Sequence, residues 1–128
     1  MQYQTALVED FHGYTDGYIW TKTAGDAGAS VAQDADGLGG VILLTTGATD
    51  NNEAYLASPE LFKFLANRPI EFEILLQFSE ANTDDANDCA GLMDAVGANS
   101  IQDNGAGPKA SYSGAVFFKA DGDTVWSV

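Results

Sequence analysis

The sequence predicts an all-β protein, a two-sheet antiparallel sandwich of jelly-roll type with one short helix. Two observations carry this prediction. The chain of 128 residues holds 14 glycines and three prolines, and its many short apolar runs are separated by turn-forming residues. The runs recur at spacings of roughly 8–14 residues, which is typical of small β-sandwiches. Residues 70–78, moreover, alternate strictly between apolar and polar side chains over most of their length.

Residues 70–78 form the clearest strand pattern in the chain. The positions on one face are Ile70, Phe72, Ile74, Leu76 and Phe78, and those on the other include Glu71, Glu73 and Gln77. A period of two predicts a strand with one face on a core and one toward water. Full burial of each apolar side chain would contribute roughly 1.5–3 kcal/mol before entropic costs.

Seven further strands are predicted, over residues 18–23, 30–34, 41–46, 53–57, 90–96, 112–119 and 124–128. Glycine-containing turns separate several of them, and the Asp-Gly pair at 121–122 predicts a hairpin. The run of four apolar residues at 41–44 predicts burial on both faces. The chain ends inside an apolar run after that hairpin, so either the natural product continues beyond it, which we expect, or the terminal strand lies at a sheet edge.

One short helix is predicted near residues 59–66. Ser58 can cap it, Pro59 suits its first position, and Glu60 complements the positive helix N-terminus. Pro69 then forces the preceding residue into an extended conformation, which ends the helix before the strand at 70–78.

The predicted organisation is an N-terminal arm over residues 1–17 and a single β-sandwich domain over residues 18–128. The arm carries aromatic side chains but has no regular period, so we expect it to order against a neighbouring chain. Phe11, Tyr14 and Tyr18 are the predicted interface residues.

Charge excludes several classes of partner. The chain has 19 acidic and five basic side chains, a net charge of −14. No basic patch can form to neutralise phosphates, so we predict no nucleic-acid partner. The same charge disfavours anionic membranes, and no apolar stretch reaches membrane-spanning length. Cys89 is the only cysteine, which fits a reducing compartment and predicts a buried structural thiol.

Candidate chemical sites are weak, and we predict no catalytic residue, no metal and no cofactor. Asp84, Asp85 and Asp88 are the candidate calcium ligands, but their sequence also reads as an ordinary acidic turn. Glu71 and Glu73 share one strand face at a spacing of about 7 Å. Glycosidases also use two carboxylates, which face each other across a cleft. We interpret them as solvent-facing strand residues.

Three stretches carry a resemblance to a known group of proteins. They are WTKTAG from residue 20, GGVILLTTGATDNNEAYL from residue 39, and LFKFLANRPIEFEILLQFSEANTDDANDCAGLMDA from residue 61. Together they resemble virion proteins of tailed bacteriophages, which are encoded among head genes and have a lectin-like jelly-roll fold. The resemblance implies a virion structural protein, such as a head decoration (cement) protein.

The expected function is therefore that of a capsid decoration protein that binds and stabilises the head shell. The expected partners are the major capsid protein and two further copies in a homotrimer. The protein would be assembled in the host cytoplasm and end on the capsid surface. The alternative is a carbohydrate-binding, lectin-like module on the virion surface or fibre. A glycan hydrolase using Glu71 and Glu73 is the third and least favoured reading.

Overall fold

A computed structural model describes residues 5–82, 85–102 and 107–128. The chain divides into two compact units, Met1–Phe64 and Leu65–Val128. The described part is all-β, with six strands paired as three antiparallel two-stranded sheets. The predicted all-β class is thus confirmed, whereas the jelly-roll sandwich is a finer statement than three small sheets support. The division into an arm at 1–17 and one domain at 18–128 stays a prediction.

The first unit contains two of the sheets. Strands β1 (Thr21–Thr23) and β4 (Tyr55–Ala57) form one, and β2 (Ser30–Gln33) and β3 (Ile42–Thr45) form the other. All four lie inside ranges predicted from the sequence. Val31 and Tyr55 supply its buried apolar side chains, within the residues described.

The prediction that residues 41–44 are buried on both faces is wrong. Val41, Leu43 and Leu44 are all exposed. Strand β3 has one neighbouring strand, and a two-stranded sheet offers too little surface to cover both faces of a strand.

The short helix predicted near residues 59–66 is absent, and no helix occurs among the described residues. Ser58 Oγ donates a hydrogen bond to the carbonyl of Pro59 at 3.1 Å rather than capping a helix. A helix of two turns is unstable unless its apolar face is buried, and Leu61, Phe64 and Leu65 are exposed. A turn closes instead between Leu65 and Arg68, with Asn67 in the left-handed region at φ 60°.

The second unit is built on a hairpin-like pair of six-residue strands. Strands β5 (Asp88–Met93) and β6 (Gly114–Lys119) are in register from Asp88 opposite Lys119 to Met93 opposite Gly114. Val116 is buried at the centre of this pair. Opposite it, Gly91 has φ 152°, and a Cβ there would lie 2.7 Å from the Val116 Cα. The close pairing of the two strands therefore requires glycine at position 91.

The predicted Asp-Gly hairpin also forms, in part. The amide of Asp123 donates to the carbonyl of Ala120, and Phe118 and Ser127 exchange two backbone hydrogen bonds of 2.9 and 2.8 Å. Residues 124–128 thus return along β6, but a single bridge replaces the predicted strand.

The strand predicted over residues 70–78 is not formed. These residues belong to no sheet of the described chain, and Phe72, Ile74, Leu76 and Phe78 are 38–50% exposed. The predicted half-buried strand is therefore wrong for the free chain.

Candidate interaction surface

An apolar groove of about 500 Å³ lies on the surface of the second unit. Its lining comes from the unpaired segment 72–78 and from the β5–β6 sheet with the chain that follows it. The lining residues are Phe72, Glu73, Ile74, Leu75, Leu76, Phe78, Ala90, Phe117 and Trp126. Glu73 is the one ionisable group among these nine residues.

The sheet supplies one side of the groove. Ala90 on β5 and Phe117 on β6 are directly paired across the two strands. Trp126 precedes Ser127, whose backbone is bonded to Phe118, so the indole lies beside this part of the sheet. Its ring centroid is 6.0 Å from that of Phe78, with the rings at 71° in an edge-to-face arrangement. This contact joins the sheet to the end of the unpaired segment.

The other side of the groove is a stretch of backbone without hydrogen-bond partners. In the described part of the chain, no hydrogen bond involves the N–H or C=O groups of residues 70–78. Residues 69–80 run without a turn or bend, and none of them has positive φ. This is the course of an extended strand that lacks a neighbour. Such a segment presents unpaired donors and acceptors, which can template the addition of another strand.

Exposure along the segment still follows the alternation read from the sequence. Phe72, Ile74, Leu76 and Phe78 are partly covered, whereas Leu75 between them is fully exposed. Contiguous exposed apolar surface of this kind marks an interaction site more often than scattered single residues do. The predicted face exists, but no part of the described chain buries it.

A polar cluster lies at the Asp88–Lys119 end of the same sheet, two residue pairs along from Ala90 and Phe117. Lys119 is buried at 3% exposure; its Nζ lies 3.7 Å from Glu80 Oε2 and donates to the carbonyl of Ala86 at 3.1 Å. Asp88 is the cross-strand partner of Lys119. Burial raises the pKa of its carboxyl above the ordinary value, whereas the positive charge of Lys119 lowers that pKa and the negative charge of Glu80 raises it further. Among the described residues, Asp88 Oδ2 is buried without a hydrogen-bond partner.

Cys89 follows Asp88 on β5. Burial raises the pKa of its thiol to about 11, and the charge of Asp88 contributes. A thiol in this state is a poor nucleophile near neutral pH. The cluster therefore offers an ion pair and a protonated thiol rather than an activated group.

The predicted interface residues lie in three different environments. Phe11 packs on Trp20 with ring centroids 5.5 Å apart, and its carbonyl accepts a hydrogen bond from Gln33. Tyr14 is half-buried, and Tyr18 is 83% exposed. Burial raises the pKa of Tyr14, with Asp16 contributing. That all three contact another chain remains a prediction.

The candidate metal and catalytic residues are not assembled into a site in the described part of the chain. Asp84 lies outside the described residues, Asp85 is exposed, and Asp88 faces the Lys119 cluster. No group of three potential ligands occurs among the residues described. Glu71 and Glu73 are both exposed, and Glu73 borders the apolar groove.

Sequence reasoning missed the groove because it assigned segment 70–78 to a core. Trp126 and Phe117 were each placed in a strand, but nothing in their spacing indicated that they would lie beside Phe72 and Phe78. The available signal was a strict alternation in a region with no complementary run nearby to cover it.

Comparison with known proteins gives no identification. No family model matches the chain, and no curated protein or solved structure shows significant similarity to it. The described residues form no helix, and therefore none that could span a membrane.

Proposed function

We propose that the chain is a structural protein of a bacteriophage particle, a capsid decoration protein that binds and stabilises the head shell. The observation that carries the proposal is the apolar groove with its unpaired edge, since such a surface is completed by binding a protein. The resemblance of residues 20–95 to phage head proteins supplies the kind of partner, the major capsid protein.

The groove favours binding over catalysis. General acid–base or nucleophilic chemistry needs at least two placed polar groups, and Glu73 is the single ionisable residue in the lining. A net charge of −14 keeps separate copies soluble until a specific contact forms. Both features suit a protein that is made in quantity and then held on a shell.

The proposal includes a finer architecture and assembly. We expect the three sheets to belong to a jelly-roll sandwich that is completed in the assembled particle. We expect three copies to bind together where capsomers meet, with Phe11, Tyr14 and Tyr18 at contacts between chains. The protein would be assembled in the host cytoplasm, where its single thiol stays reduced, and would end on the virion surface.

The test uses heads of the encoding phage prepared without this protein. Purified protein is added, and bound copies per head and the temperature of shell disruption are measured. We expect saturable binding at a fixed high copy number and a higher disruption temperature. Ile74→Asp, which places a charge in the groove, should weaken binding at least tenfold. Leu38→Asp, at a residue 98% exposed in the first unit, is the matched control and should bind normally. Heads that bind no protein would contradict the proposal.

A carbohydrate-binding module is the second candidate, because four aromatic residues line the groove: Phe72, Phe78, Phe117 and Trp126. Aromatic faces stack on sugar rings, but sugar sites also need polar groups placed for the hydroxyls. The lining provides few of these. Binding to a glycan array that is lost in Phe117→Ala, together with no binding to heads, would favour this candidate.

A further inference from the structure

We propose that the apolar groove binds an extended protein segment in which apolar residues alternate with Lys or Arg, and that this segment pairs as a β-strand with residues 70–78. The inference rests on the proposed function only in treating the groove as a protein-binding surface. The chemistry of the occupant follows from the groove itself.

The unpaired backbone specifies an extended occupant. Residues 70–78 offer N–H and C=O groups without partners in the described chain, over a straight run free of turns. A strand added along this edge would satisfy them by regular backbone hydrogen bonds. Its side chains would alternate between the groove and the opposite face, because the side-chain period of a strand is two.

The apolar lining specifies every second residue of the occupant, namely those whose side chains enter the groove. Phe72, Ile74 and Phe78 from the segment face the same groove as Phe117 and Trp126. Apolar side chains of an added strand would cover these partly exposed groups and remove apolar surface from water. Removal of such surface is the main favourable term in association.

The charge of the segment specifies the other residues of the occupant, those that alternate with its apolar side chains. Glu71 and Glu73 occupy exposed alternate positions of the segment, with Glu73 at the border of the groove, and residues 69–80 contain no basic side chain. Residues 65–128 carry ten acidic side chains against three basic ones. Of these three, Lys119 is buried, Lys109 Nζ donates to the carbonyls of Asp94 and Ala95, and Arg68 is exposed just before the N-terminal end of the segment. A cationic strand placed beside Glu71 and Glu73 gains favourable cross-strand pairs.

A second copy of the chain fits less well. Pairing segment 70–78 with itself offers Glu71 and Glu73 no cationic cross-strand partner, because residues 69–80 contain no basic side chain. The overall charge of −14 adds a general repulsion. The structure therefore points to a different protein as the source of the strand.

The experiment uses defined peptides and the full chain at 150 mM salt. The probe is a fluorescein-labelled decapeptide of alternating Lys and Val, and fluorescence anisotropy measures its Kd. Three control peptides are used: one with Glu in place of Lys, one with every backbone amide N-methylated, and one with the same residues grouped as Lys followed by Val. The protein variants are Ile74→Asp in the groove and Leu38→Asp as the charge-matched control in the other unit.

We expect the alternating Lys-Val peptide to bind saturably. Ile74→Asp, N-methylation and grouping of the residues should each weaken binding at least tenfold, and the Glu peptide should not bind. Leu38→Asp should change the Kd less than twofold. Equal binding by the grouped peptide, or by the Ile74→Asp variant, would reduce the interaction to unspecific charge attraction and overturn the proposal. Equal binding by the N-methylated peptide would rule out strand pairing.

Failure here is distinct from failure of the proposed function. No peptide binding, with concentration-dependent self-association that Ile74→Asp abolishes, would assign the groove to a second copy. No peptide binding and no self-association would leave the groove without this role; either result overturns the inference, even if heads are bound. Peptide binding without head binding would support the inference and reject decoration.

Discussion

Segment 70–78 and strand β6 (Gly114–Lys119) show what an alternating sequence does and does not determine. The segment has the stricter alternation, yet its backbone has no partner in the described chain. Strand β6 alternates less regularly, yet it pairs with β5 along six residues and with Ser127 on its other edge. Alternation sets which side chains share a face, whereas pairing depends on a complementary strand being within reach. The segment carries a face without a partner.

The largest loss of stability is expected at Gly91, where the close pairing of strands β5 and β6 leaves no space for a side chain. Gly91→Val would bring a side chain against the carbonyl of Ala115 and the Cα of Val116, at a φ of 152° that branched residues avoid. Strain and overpacking together should cost about 2–4 kcal/mol of unfolding free energy. Urea denaturation measures it.

The control for this change is Gly97→Ala. An added Cβ at Gly97 meets nothing within 4 Å, so stability should change by less than about 0.5 kcal/mol. If both variants unfold at the same urea concentration, the close pairing of β5 and β6 is incorrect.

The next comparison sets the two alternating stretches directly against each other. Val116→Ala removes buried methyl groups and should cost about 2 kcal/mol, from transfer and cavity terms. Ile74→Ala removes more carbon, but Ile74 is 50% exposed, so the cost should be below about 1 kcal/mol. The melting temperatures of the two variants, measured by thermal unfolding, test this difference. A greater loss at Ile74 would place segment 70–78 in a core and refute the account of the groove.

The elements that were predicted correctly are those whose formation depends on a few adjacent residues of the sequence. Strands β2 and β3 flank glycine-rich turns, and the Asp-Gly pair folds β6 back toward Ser127. Local turn chemistry of this kind can be read from a few adjacent residues. The helix near 59–66 failed for the opposite reason, because its capping signals were present but its apolar stripe had nothing to pack on.

Cys89 provides a chemical measure of how well β5 is covered. Its pKa of about 11 lowers the thiolate fraction at pH 8 roughly a hundredfold, and the higher nucleophilicity of a more basic thiolate offsets about tenfold of that. Iodoacetamide should therefore modify the folded protein about tenfold more slowly than the protein in 8 M urea. Mass spectrometry follows the reaction. Equal rates would mean that β5 does not shield the thiol.

The smallest effect is a pH dependence at the polar end of the same sheet. The raised pKa of Asp88 means that the folded state holds this proton more tightly than the unfolded state. Stability contributed by the protonated carboxyl is complete below its ordinary value of 3.8 and is lost as pH rises through the folded pKa. Asp88→Asn should thus match the wild type near pH 3 and melt slightly higher at pH 7.

The opposite result at pH 7 would be informative. A lower melting temperature for Asp88→Asn would show that attraction to Lys119 outweighs the burial of the carboxylate. Asp85→Asn, at an exposed position three residues before β5, is the control and should show little difference between the two pH values.

Only part of the candidate surface could be predicted from the sequence. The shared face of Phe72, Ile74 and Phe78 follows from the period of two and is present in the structure. The contribution of Phe117 and Trp126 depends on how the β5–β6 sheet lies beside the segment, which is a long-range arrangement that no local pattern specifies. The absence of a covering layer depends on which other strands exist, and a single alternating run says nothing about that.

Amide hydrogen exchange of the free protein tests the central claim most directly, because it reports backbone pairing residue by residue. The account predicts that amides of residues 70–78 exchange within about tenfold of unstructured-peptide rates, while those inside β5 and β6 are slower by about a hundredfold or more. Mass spectrometry of overlapping peptides resolves the two regions. Protection of residues 70–78 equal to that of β6 would mean that the segment already has a strand partner, and the account of an unpaired docking edge would be contradicted.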